Sequence, residues 1–400
     1  MKEKTMSGKI RTCLLGALAF SLPFFQGARA EDVFEIPVVL PLTGGAAFLG
    51  QGERDSLKIQ ETVANKQGGI NGTPIRYVFH DDQSSPQIAV QLANEIVARR
   101  PAAVLGSALV AMCNAMTPVF AGAGEGSVMY CFSPGIHPAP GSRAFTAFIS
   151  THDSAAALMS YYRGRGFTRI AMITSTDASG QDGGRGFMDA LKLPENKNLQ
   201  MVASEKFAPA DVSVSAQIEH IKTANPQALI VWTSGSPFGT VLKSIAQSGL
   251  DVPVGTTDAN MTFAQMKQYE AFLPKEALFM SSEWPEHTTE FKLDPAVEAA
   301  QRVMFDGYKA VNAPIDITVA HAWDPAMLLL EGYRKLGIKA TPEQMRSFIA
   351  DKKDWAGING TYDFHKTPQR GLDVGDVVVT RWKPDQNKWS IVSKPGGDPL

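Results

Sequence analysis

Phe34-Glu35-Ile36-Pro37-Val38-Val39-Leu40 runs directly into Pro41-Leu42-Thr43-Gly44-Gly45. An apolar, β-branched run closed by turn residues reads as a buried strand, and its loop opens a helix with Leu57, Ile59 and Val63 on one face. The same alternation recurs. Further strands are expected at Ile75 to His80, Ala103 to Gly106, Val128 to Phe132, Arg169 to Thr174, Met201 to Lys206, Ala228 to Trp232 and Ala277 to Ser281, with helices such as the one carrying Ile88, Leu92, Ile96 and Val97 between them. Strands separated by helices of this length make parallel βαβ units, so the fold class is α/β.

Two such series lie on either side of Phe148-Ile149-Ser150-Thr151-His152-Asp153, where Asp153 or Ser154 is expected to cap a new helix. Two lobes are therefore expected. Beyond Ser282 the pattern turns helical over Asp294 to Val311, His321 to Leu336 and Thr341 to Ala350, then ends in a Gly/Asp/Trp-rich β segment from Trp355 to Val392.

Upstream of the first strand, Lys2, Lys4, Lys9 and Arg11 precede the apolar run Cys13 to Phe25 and the small-residue site Ala28-Arg29-Ala30. This is the pattern of an export signal cut before Glu31, in a run too short to span a membrane. Cys13 starts the apolar run instead of ending it, which does not fit a lipidated cysteine. Removing five basic residues and one acidic residue moves the formal charge from −2 to −6. A mildly acidic chain lacks the basic footprint of a nucleic-acid binder. No later apolar run approaches eighteen residues, so a soluble chain outside the cytoplasm is expected. Cys113 and Cys131 remain; in an oxidising compartment they can form one bridge or stay as two buried thiols.

Enzyme signatures fail on their chemistry. Gly50-Gln51-Gly52 with Asp81-Asp82 is a poor dinucleotide fingerprint, because Asp55 stands where the third glycine belongs and would repel a pyrophosphate. Ser133 ends a strand as a nucleophile elbow does, but Pro134 has no N–H to give an oxyanion hole. The seven histidines show no ligand spacing, and His80 with Asp82 is a strand-end pair, so neither metal nor cofactor is expected. A plainer pattern remains. Polar, glycine-containing loops follow several strands, at 41–45, Ser133 to His137, Asp177 to Gly180, Thr233 to Ser236 and Thr256 to Asp258. In open α/β sheets ligands bind at that end. Loops on two lobes make a cleft lined from both sides.

Pro41-Leu42-Thr43-Gly44 with Gly50, Gly68-Gly69-Ile70-Asn71-Gly72, Asp81-Asp82, Val104-Leu105-Gly106, Ser133-Pro134-Gly135, Gly249-Leu250 and His321-Ala322-Trp323-Asp324-Pro325-Ala326 follow one another in an order that resembles the periplasmic branched-chain amino-acid-binding proteins of ABC importers. The resemblance covers nearly all of residues 33–375. It implies a type I periplasmic binding fold: two doubly wound parallel-sheet lobes joined by three crossovers, lobe one being 31–151 plus 284–355 and lobe two 152–283 plus 356–400. It implies no catalytic residue, a small-molecule ligand, an inner-membrane ABC permease as partner, and a monomer.

The resemblance also suggests roles for residues. Ser133, Pro134, Gly135 and His137 would hold a carboxylate, His137 standing where the family has a threonine. Met112 and Cys113 lie where a serine pair would be. Asp258 would meet an ammonium, and Ser179 replaces an aromatic. Ser234 and Gly235 occupy a segment that lacks an expected tyrosine. Phe48 and Trp284, with Trp232 and Trp323, would supply aromatic walls. The ligand expected first is a branched-chain or related amino acid, and second an aromatic or other organic acid. A ligand sensor on the same fold is a further alternative.

Overall fold

The structure, a computed structural model, describes Met1 and residues 33–122, 126–285 and 293–400; the export signal expected at 1–30 lies outside the described residues. Val33–Leu400 forms one unit by its internal contacts. Its first half alternates as expected: β1 (Phe34–Leu40), α1 (Ala47–Lys66), β2 (Ile75–Asp81), α2 (Pro86–Val97), β3 (Ala103–Gly106), α3 (Val110–Ala121), β4 (Val128–Cys131) and β5 (Ala144–Thr146). These strands form a five-stranded parallel sheet in the order β2-β1-β3-β4-β5. β3 and β4 are buried at every position, as strands covered on both faces must be.

The chain then leaves this sheet. Ser150 caps α4 (Thr151–Gly164) by accepting from the Asp153 N–H at 2.9 Å, so the cap lies earlier than the expected Asp153 or Ser154. β6 (Arg169–Ser175), α5 (Ala178–Leu191), β7 (Gln200–Phe207), α6 (Ser215–Thr223), β8 (Ala228–Trp232), α7 (Ser236–Ser248), β9 (Val254–Thr256), α8 (Phe263–Gln268) and β10 (Ala277–Ser281) build a second, larger sheet. Three helices, α9 (Pro295–Ala310), α10 (Ile317–Leu336) and α11 (Pro342–Ala350), return to the first sheet, where α10 packs on α1. A Cβ at Gly52 would lie 2.6 Å from the Thr318 methyl, so this glycine serves helix contact and not phosphate binding.

A short hairpin, β11 (Trp355–Ala356) with β12 (Thr361–Tyr362), stays beside α10: the Asp324 carboxylate accepts from the Ile358 and Asn359 N–H groups, the Asn359 amide and the Tyr362 hydroxyl at 2.8–3.1 Å. Next, the buried Arg370 guanidinium donates to the carbonyls of Pro134, Ile136 and Phe148 at 3.0, 2.9 and 3.0 Å. Only then does the chain add β13 (Val378–Lys383) and β14 (Lys388–Ile391), antiparallel, to the larger sheet, whose order is β14-β13-β10-β9-β8-β6-β7. The chain passes between the sheets three times.

Candidate functional site

The loops after β1, β4, β8 and β9 meet between the two sheets. The Asp81 carboxylate shapes the first by accepting from the Leu42 and Thr43 N–H groups and the Thr43 hydroxyl at 2.8–3.2 Å. Burial opposes its charge, yet the Thr43 hydroxyl and the Gln83, Thr43 and Leu42 N–H groups hold it below the usual carboxylate range. Burial pushes its neighbour Asp82 up to about 6, although Asp82 accepts from the Ser107 hydroxyl and the Ser84 N–H. Both acids clip loops. Across the gap, the Ser236 N–H donates to the Gly45 carbonyl at 3.2 Å. Gly235 has φ +79°, and a Cβ there would lie 2.5 Å from that carbonyl oxygen. A tyrosine side chain cannot occupy this position while the loops touch.

Behind that contact lies a cavity of about 20 Å³. It has room for a single water, for which about 10–15 Å³ suffices, and none for a larger solute until the sheets part. Ala108, Leu109, Val110, Ser133, Pro134 and Gly135 line it from the smaller sheet. Ser179, Trp232, Ser234, Thr257 and Ala259 line it from the larger, with Thr151 at the crossover and His321 on α10. The Ser179 and Ser234 hydroxyls lie 3.2 Å apart. Hydroxyls and the His321 imidazole on an otherwise apolar lining suit a small solute with a polar end.

A buried charge cluster closes one side. His321 Nε2 lies 2.7 Å from Asp258 Oδ2, and its Nδ1 lies 3.2 Å from Glu53 Oε1; all three side chains are buried. Burial alone would lower the His321 pKa, but hydrogen bonds to Asp258 and Glu53 and their charges outweigh it and push the imidazole up to about 9. Burial raises Glu53, against the hydrogen bond and charge of His321. Asp258 also accepts from the Thr257 hydroxyl at 2.6 Å, and the Phe148 ring meets His321 edge-on at 5.4 Å. The carboxylate expected to face a ligand ammonium thus already faces an imidazolium.

The expected site residues separate into groups. Ser133, Pro134, Gly135, Ser179 and Ser234 line the cavity, Gly235 makes the contact between sheets, and Asp258 sits behind it on His321. Met112 and Cys113 do not line it; they face the apolar layer under α2 and α3, and Cys113 is bonded to Cys131. Trp284 belongs to the large core cluster instead of the cavity wall. Phe48 is half-buried on α1 and also outside the lining. His137 turns away to Asp182 on α5, at 2.9 Å. Glu53, Thr151 and the role of His321 were not anticipated, whereas Thr257 lies in the strand-end loop expected at Thr256 to Asp258. One signal for His321 was present, as the lone ionisable side chain in Ile317-Thr318-Val319-Ala320-His321-Ala322-Trp323.

Residues 34–387 match a family model described as periplasmic binding protein. A leucine-, isoleucine-, valine-, threonine- and alanine-binding protein of Pseudomonas aeruginosa is 24% identical over 390 residues, 94% of this chain and 97% of its own length. Among solved structures, the branched-chain amino acid transporter substrate-binding protein LivJ of Streptococcus pneumoniae, in complex with isoleucine, superposes with a TM-score of 0.73 at 18% identity, over 90% of this chain and 99% of that one. An ABC-transporter solute-binding protein of R. palustris in complex with benzoate gives 0.73 at 18%, over 90% and 95%. At such identities the superpositions establish a shared fold.

Proposed function

Because the chain belongs to the periplasmic binding protein family, we propose that it is the solute-capturing component of an ABC importer. It works outside the cytoplasm after its export signal is removed, as a monomer without catalysis. It closes on a small carboxylate-bearing solute and presents the closed form to a membrane permease. The observation that carries this reading is the cavity shared by both sheets, lined by Ser133 on one side and by Ser179 and Ser234, whose hydroxyls meet, on the other. The moving bodies are residues 31–151 with 284–372, and 152–283 with 373–400. The ties of the β11–β12 hairpin and Arg370 to the first body support carrying that body past residue 355, to about residue 372.

A branched-chain or related amino acid is the first ligand class, supported by the P. aeruginosa relative and by LivJ. One observation favours a second class, organic acids without an ammonium: Asp258 is already paired with His321. A buried ammonium without a counter-charge is expensive, so an amino acid must displace that imidazolium or share the carboxylate. A thermal-shift screen with leucine, isoleucine, valine, threonine, alanine and benzoate decides. A true ligand at a hundredfold excess over its Kd stabilises by about 2.7 kcal/mol. Shifts from aliphatic amino acids alone establish the first class, and shifts from acids lacking an amine establish the second. No response to any carboxylate, amino or otherwise, would refute the carboxylate reading.

A further inference from the structure

No spacing in the sequence suggests a metal site, yet folding brings three ligand-type side chains together outside the cavity. His137 lies in the loop after β4, His152 in the first turn of α4 and Asp182 on α5. One donor atom from each lies within 4.8 Å of the others. His137 Nε2 is 2.9 Å and His152 Nε2 3.7 Å from the same Asp182 Oδ1, and the two rings stand 5.0 Å apart, edge to face. The carboxylate is buried, while the His137 and His152 side chains keep 46% and 38% of their exposure, which leaves a fourth position open to solvent. His152 Nε2 is buried without a hydrogen-bond partner.

We infer that His137, His152 and Asp182 form a zinc-class divalent-cation site that is complete only when the two sheets are closed on each other. Zinc takes imidazole nitrogen and carboxylate oxygen at about 2.0–2.2 Å, which sets neighbouring tetrahedral ligand atoms roughly 3.4 Å apart. The observed 2.9 and 3.7 Å bracket that separation, and the two imidazole donors, within 4.8 Å of each other, close on a cation by at most roughly 1.4 Å. Two imidazoles and one carboxylate with an open position suit zinc better than magnesium or calcium, which prefer oxygen. Arg185 also donates to Asp182 Oδ1, at 2.9 Å. Its side chain is 61% exposed and can swing into solvent as the cation arrives. His137 moves with the smaller sheet, through its neighbour Ile136 and Arg370, whereas His152 and Asp182 sit on helices of the larger. A cation bound by all three therefore staples the closed arrangement, and by linkage solute and cation each tighten the other.

The test uses the tag-free, chelator-treated chain titrated with Zn²⁺ by calorimetry and with Co²⁺ by its visible d–d bands. Wild type should bind one cation with four-coordinate Co²⁺ bands. His137→Ala and His152→Ala should each weaken binding by more than about 100-fold, beyond the usual effect of removing an outer-shell partner. His220→Ala, at an exposed histidine paired with Glu205 on β7, should change nothing. Circular dichroism verifies that the variants fold. Failure of wild type to take up either cation would overturn the site, as would equal binding by wild type and the His137→Ala/His152→Ala double variant. Loss in His152→Ala but not in His137→Ala would overturn the bridging arrangement.

Discussion

Replacing Asp258 by Asn removes the carboxylate charge that His321 of α10 faces on the larger sheet. In the native protein His321 rises from its ordinary 6.5 to about 9. At about 1.4 kcal/mol per tenfold change in proton affinity, that rise makes on the order of 3 kcal/mol of pH-dependent stability. The folded pKa is raised, so this contribution is fully present below pH 6.5 and is lost as pH climbs through 9. Glu53, also raised, contributes with the same sign from a lower starting pH. Urea unfolding at unit steps from pH 6 to pH 10 should show wild type losing up to about 3 kcal/mol more than Asp258→Asn, which starts about 3–5 kcal/mol lower at pH 6 and declines less steeply. Other raised carboxyls, such as Asp82 and Asp324, titrate in both proteins and cancel in the comparison. Because the pair spans both sheets, solute affinity should weaken over the same pH interval. Parallel stability curves for the two proteins would refute the assignment of charge to His321.

Gly235→Ala sets a methyl against the Gly45 carbonyl at a φ of +79°, so solute affinity should drop at least about tenfold, with less solute-induced compaction in small-angle scattering. Calorimetry showing wild-type affinity would dismiss that contact. Cys131→Ser opens a loop of sequence separation 18 and should cost about 3 kcal/mol, with dithiothreitol lowering the melting temperature of wild type but not of the variant. Asp324→Ala leaves three buried donors unpaired, the Ile358 and Asn359 N–H groups and the Tyr362 hydroxyl, while the Asn359 amide keeps the Ala320 carbonyl, and should cost at least about 3 kcal/mol in urea unfolding.

The long strands were legible because parallel strands covered on both faces must be continuous apolar runs; Phe34–Leu40, Ala228–Trp232 and Ala277–Ser281 begin and end where the pattern does. β5 and β9 escaped it, with three residues each and, in β9, a central Gly255. The strand-end loops pointed to Ser133, Gly135, Ser179 and Ser234, which line the cavity between the sheets, since ligands of open α/β sheets bind where strands end. Met112, Cys113 and Trp284 were placed by resemblance, which gives a position along the chain but not the face toward which its side chain turns. The Glu53–His321–Asp258 and His137–His152–Asp182 groups were invisible for another reason. Each joins segments far apart in the chain, and only the closed arrangement of the sheets gives them a shared charge problem to solve.

Arg370 bears on how a protein of this shape can change its cargo. Its planar guanidinium grips carbonyls at Pro134, Ile136 and Phe148, both ends of the segment that follows the cavity residue Ser133. An insertion or deletion close to those carbonyls would break one grip or more and strand a buried cation whose pKa burial already lowers to about 10. Diversification of the chemical repertoire is thus steered away from loop length near the clamp and toward single side-chain exchanges on the facing walls, at Val110, Ser179, Trp232 and Ser234.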